Sequence, residues 1–83
     1  MEYVKPPPPW EAGRQGILNA LGAQVPQHTF RQPVPVVIRI VWEHDGEEHL
    51  ETVALGWIGQ HAYIRLPDPR YGFTAVWLDA TEV

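Results

Sequence analysis

The chain has no cysteine and no serine, and it carries one lysine, Lys5, and one asparagine, Asn19. Each absence removes a class of function. Without cysteine there is neither a disulfide framework nor a thiolate metal site, so packing alone must hold the fold. Serine and cysteine nucleophiles are excluded, and a Schiff-base mechanism would have only Lys5, which stands next to a run of prolines. Gly13 and Gly16 are not followed by the glycine–lysine pair of a phosphate-cradling loop. No segment approaches the roughly 18 apolar residues that span a bilayer. The start, Met-Glu-Tyr-Val-Lys-Pro, lacks the basic and apolar regions of a signal peptide. These absences, with Met1 in first place, lead us to expect a complete small cytoplasmic protein that is not an enzyme, needs no cofactor and has no membrane partner.

What is present is globular in character. Of 83 residues, 45% are hydrophobic and 19% charged, enough for one core and no more. Charge is unevenly placed. Lys5, Arg14 and Arg31 against Glu2 and Glu11 leave residues 1–33 at +1, whereas three arginines against eight acids leave residues 34–83 at −5. A nucleic-acid binder shows a basic face toward phosphate, and the second half has the opposite sign.

Three zones follow along the chain. Residues 6–9, all proline, fix four φ angles and favour polyproline II. In residues 10–22, Trp10, Arg14, Ile17 or Leu18, and Leu21 recur near helical spacing, with Pro9 leading in and Gly22 ending it, so we expect a short amphipathic helix. Gly13 and Gly16 weaken that helix by up to about 1 kcal/mol each, and it should need docking to persist. Residues 23–33 read as an extended connector.

From residue 34 the period changes to two. Val34, Val36, Ile38, Ile40 and Trp42 share one parity, which predicts a strand with one buried face. Asp45-Gly46 predicts a tight hairpin turn, residues 48–57 its returning strand, residues 58–60 a second turn, residues 61–66 a third strand and residues 73–78 a fourth. Residues 67–72, Pro-Asp-Pro-Arg-Tyr-Gly, form a loop between the last two. The expected organisation is an N-terminal arm, helix and connector over 1–33 and a small β domain over 34–83.

The final seven residues, Trp77-Leu78-Asp79-Ala80-Thr81-Glu82-Val83, resemble the end of a Src-homology-3 barrel, where an aromatic and an aliphatic residue lead into a 3₁₀ turn and a last short strand. Leu78, Ala80 and Val83 match the buried positions and Trp77 the preceding aromatic. The resemblance implies a mainly β protein, a small SH3-like antiparallel barrel of about five strands. Peptide-binding members use a proline and a tyrosine in this turn, but here Asp79 and Glu82 stand in those places. That ligand site is therefore not carried over, and with Asp79 and Glu82 in those places we do not expect the four prolines to dock on this barrel. We expect them to stiffen an arm and set Trp10 where its ring anchors the helix to the barrel or to a second chain.

Two sets of side chains attract attention. His44, Asp45, Glu47, Glu48 and His49 crowd one hairpin tip, with His61 a further candidate beside them, a composition that suits zinc but lacks any fixed-spacing motif; a solvated acidic turn is the favoured reading, and no metal is expected. The candidate binding residues are aromatic: Trp10, Trp57, Tyr63, Tyr71 and Trp77. Rings on alternate strands make a slot for a peptide, a methylated amine or an unstacked base, although small domains also bury aromatics simply to fill a core. Parity puts Trp42 inside and Trp77 outside, and leaves Trp57 open to either. The expected function is a non-catalytic protein-interaction module, its partner a protein of unspecified identity or a second copy joined through the N-terminal arm. The alternative is a nucleic-acid accessory using Arg39, Arg65 and Arg70.

Overall fold

The structure is a computed structural model, and it describes residues 14–83. It is mainly β. Four antiparallel strands, β1 (His28–Trp42), β2 (Gly46–Ile58), β3 (His61–Arg65) and β4 (Ala75–Asp79), form one sheet in the order β1-β2-β3-β4, followed by a 3₁₀ turn at Ala80–Glu82. β1 and β4 are the two edges, so the ladder is open.

The period-two pattern of β1 places Ile38, Ile40 and Trp42 on the inner face, where all three are buried. Ile64 and Leu66 from the third strand region and Val76 and Leu78 from β4 meet them there, with Ala54 from β2. Fully burying side chains of this kind stabilises by about 1.5–3 kcal/mol each. Five of them, Ile38, Ile40, Trp42, Ile64 and Leu78, are essentially inaccessible, which makes this cluster the main source of stability.

The first hairpin turn is longer than the two-residue Asp-Gly turn expected. Trp42 pairs with Gly46, leaving Glu43, His44 and Asp45 as the connection, and only Gly46 takes a positive φ, of 77°. A three-residue loop closed by a left-handed glycine gives the strands their twist without asking Asp45 to adopt that conformation. The second turn is the two residues Gly59 and Gln60 between Ile58 and His61, with positive φ at Gly59 alone.

β1 also begins earlier than expected. His28 and Thr29 pair with Trp57 and Gly56, the register then shifts, and Val34 resumes against Ala54. Residues 28–33, expected as connector, thus belong to β1 and form a bulge opposite β2. Gly56 makes this crossing feasible, because a Cβ there would run into the carbonyl oxygen of His28.

The expected helix does not form over residues 14–22; its first turn, with Trp10, lies outside the described residues. Extended backbone wins because sheet edges satisfy the segment's polar groups better than a glycine-rich helix would. Ile17 forms a bridge with Trp42 and enters the core, Leu18 N–H donates to Val41 O (2.7 Å), and Glu43 N–H donates to Gly16 O (2.9 Å). Asn19 completes the clasp. Its side-chain amide accepts from Val41 N–H (2.9 Å) and donates to Arg39 O (2.8 Å), standing in for a strand neighbour. Two residues later, Leu21 N–H donates to Trp77 O on β4 (2.8 Å), so one short segment is bonded to both edges of the sheet.

Candidate functional site

β3 and β4 alternate like β1. Ala62, Ile64, Val76 and Leu78 point inward, so Tyr63 and Trp77, directly opposite each other, point outward. Their ring centroids are 4.8 Å apart. The parity argument for Trp77 holds, yet the ring is only 5% exposed. Trp77 is therefore not the exposed ring the alternation predicts. The covering comes from residues 21–27, which cross the outer face of the sheet: Leu21 bonds to Trp77 on β4, Gln24 Oε1 lies 2.7 Å from His61 Nδ1 on β3, and Gln27 N–H donates to Trp57 O on β2 (3.1 Å).

Beside this crossing lies a groove of about 400 Å³. Leu21 and Gln24 form one wall, Tyr63 and Trp77 the floor, and Tyr71 and Phe73 the rim contributed by the loop over residues 66–74. Tyr71 and Phe73 meet edge to face, with centroids 5.6 Å apart. Phe73 is 72% exposed, a large apolar ring held in water. Among the described residues, no charged side chain lines the groove. Burial pushes the Tyr71 phenol above its ordinary pKa, so the ring remains a neutral donor through physiological pH.

The loop that carries the rim is fixed by Arg70. Its guanidinium lies 4.1 Å from the Trp42 ring centroid and donates to Asp68 (2.8 Å), Glu48 (2.9 Å) and Asp45 (3.2 Å). A cation stacked on a tryptophan face and ringed by carboxylates is held in one orientation. Asp68 also accepts from Arg70 N–H, and the Arg70 guanidinium holds its carboxyl below the usual range. The loop closes with Leu66 N–H donating to Thr74 O (2.8 Å).

β4 presents more than side chains. Leu66 bonds to Thr74 and Ala80 N–H donates to Gln60 O, so the even-numbered residues of β4 face β3 and the odd ones face outward. Trp77 O is taken by Leu21. Among the described residues, the backbone of Ala75 and the N–H of Trp77 have no strand neighbour.

Of the five aromatic candidates, three come together here: Tyr63, Tyr71 and Trp77. Trp57 is elsewhere, stacked on His28 (4.5 Å) and tilted against Phe30 (4.8 Å), beside a smaller apolar groove of about 270 Å³ that also touches Val36 and Val83. Trp10 lies outside the described residues. Phe73, Leu21 and Gln24 were not singled out from the sequence; Phe73 follows two prolines and a glycine, and nothing in its spacing marks it, whereas Leu21 and Gln24 join the site only because residues 20–27 cross the sheet.

The acidic hairpin tip is engaged internally. Asp45 and Glu48 hold Arg70, Glu47 pairs with Arg39 (3.3 Å), His44 faces Glu43 (3.1 Å), and His61 is turned to Gln24. Among the described residues, no three histidine or carboxylate side chains are arranged to hold a metal ion. Arg39 and Arg70 do not share a face either. Glu47 and Glu48 are successive on β2 and point to opposite sides, and Arg39 follows the first while Arg70 follows the second. Arg39 is further claimed by Glu82 (3.0 Å), and hydrogen bonding to Glu82 and Glu47 holds its proton more tightly than usual.

No helix among the described residues is long and apolar enough to cross a membrane. No protein-family model, curated protein or solved structure matches the chain.

Proposed function

We propose that the protein is a non-catalytic interaction module of the cytoplasm that receives an extended, proline-rich segment of a partner protein in the groove beside β4. The observation that carries this reading is the convergence of Tyr63, Tyr71, Phe73 and Trp77 around one uncharged groove at an incompletely paired strand edge. Aromatic walls suit polyproline II because the ligand is stiff before binding and loses little entropy. Chain carbonyls of such a ligand find donors in the outward N–H groups of Ala75 and Trp77.

The fold is read as a variant small barrel of the SH3-like kind, with residues 14–21 acting in place of a fifth strand between the two edges. Support comes from the bonds of that segment to Val41 and Trp77 and from the 3₁₀ turn directly after β4. Its ligand groove differs from the one the C-terminal resemblance implies, using Tyr71 and Phe73 in place of the proline and tyrosine that Asp79 and Glu82 displace. Nucleic acid is the weaker reading, because Arg39 and Arg70 lie on opposite faces and already have carboxylate partners.

The test is a titration of the full chain with decaproline, followed by tryptophan fluorescence. Saturable binding is expected, weakened at least tenfold in Phe73→Ala. Undiminished binding in Phe73→Ala, or no binding by the parent, would remove the groove from the account.

A further inference from the structure

We propose that the chain supplies an occupant for this groove itself: the segment Lys5-Pro6-Pro7-Pro8-Pro9-Trp10 binds in cis beneath Tyr71 and Phe73. The inference rests on the reading of the groove as a proline-rich site and adds its regulation. Three observations carry it. The first is the point at which the chain enters the described fold. Arg14 Nη1 lies 3.9 Å from where a Cβ on Gly72 would stand, and Gln15 N–H donates to Arg70 O (2.7 Å). The thirteen preceding residues are therefore delivered at the very loop that carries Tyr71 and Phe73.

The second observation is length. Four Cα–Cα steps lead from Trp10 to Arg14, a reach of at most about 14 Å, and four prolines in polyproline II extend about 12 Å. Both figures fit a groove that opens on the neighbouring loop.

The third is chemistry. Among the described residues the groove offers neutral rings and no charge, and the segment offers four prolines and an indole. Stacking of proline rings and Trp10 on Tyr63, Tyr71 and Phe73 needs no ion pair. Tethering gives the segment an effective concentration on the order of millimolar, so docking that is weak between separate molecules is substantially populated within one. A foreign proline-rich segment must then displace the chain's own. The arm acts as a built-in competitor that lowers apparent affinity by the fraction of molecules left open.

The absence of cysteine makes the test direct. Val4→Cys introduces the sole thiol, which takes a nitroxide spin label in the full chain. Expected is selective broadening of the Tyr71, Phe73, Ala75 and Gln24 amides in the uniformly ¹⁵N-labelled protein, independent of protein concentration and relieved by Phe73→Ala. A sample mixing spin-labelled ¹⁴N protein with unmodified ¹⁵N protein should show none of it. Broadening that appears in the mixed sample as well means exchange of arms between two copies and overturns the cis proposal; so does a label that leaves all four amides sharp. Either result can stand beside decaproline binding that depends on Phe73, in which case the groove survives as a partner site and only its self-occupancy is lost. Where both proposals hold, Trp10→Ala should tighten decaproline binding about twofold or more, and an unchanged affinity counts against the competitor role.

Discussion

The two edges of the sheet are finished in different ways. Along β1, Leu18 N–H, Gly16 O and both ends of the Asn19 amide occupy the outward groups from Arg39 to Glu43. Further toward its start, Pro35 stands at an outward-facing position, where a missing N–H denies a foreign strand its donor. Along β4 a single bond, Leu21 to Trp77, meets the edge, and the space beside it is lined with aromatic rings. One edge is clasped over residues 39–43, and the other is met once and lined with rings. The difference teaches that what stands beside an open stretch of edge decides its use: a proline along β1, aromatic rings along β4.

Breaking the clasp that serves both edges should have the largest effect. Ile17→Ala removes a buried side chain from the bridge to Trp42, and a loss of about 2–4 kcal/mol in urea unfolding is expected. A loss below about 1 kcal/mol would mean that the segment lies on the sheet without holding it. Asn19→Ala acts on one edge only. It leaves Val41 N–H and Arg39 O without partners, so a loss of about 1–2 kcal/mol is expected, with faster amide exchange at Val41 and unchanged exchange across β4.

Acid should act on the other edge. Asp68 is held below its ordinary pKa by Arg70, so its contribution is present above the unfolded carboxylate value, near 4, and is lost as pH falls through the lower folded value. The rim loop is tied down through this pair. Below about pH 4 the melting temperature should fall by a few degrees, and Asp68→Asn should flatten that limb while lowering stability by less than about 1 kcal/mol at neutral pH. An acid limb of unchanged slope in Asp68→Asn would assign it to other carboxylates.

Much of the sheet was legible in the sequence, and the reason is its period. Ile38, Ile40 and Trp42 alternate with exposed or half-exposed neighbours, and one buried face is enough to set a register. The site was legible only in part. Parity put Trp77 on the face opposite Leu78 and so in solvent, but alternation says nothing about a segment that crosses that face, and the covering of Trp77 by residues 21–27 was invisible. The helix reading over residues 10–22 failed within the described residues for a related reason. Ile17, Leu18 and Leu21 have helical spacing, yet Ile17 enters the core and Leu18 and Leu21 bond to opposite edges through backbone groups, which no side-chain pattern reports. Arg70 shows the same limit: it looked like one of three cations available to phosphate, and tertiary structure gave it three carboxylates and the Trp42 ring.

The most direct test of the contrast between the edges is a decaproline titration of the full chain followed residue by residue through backbone amide shifts. Saturable movement is expected at Gln24, Tyr71, Phe73, Ala75 and Trp77, with Val37, Arg39 and Val41 unmoved. Shifts along β1 or around Trp57, with β4 silent, would contradict the assignment of binding to the β4 edge.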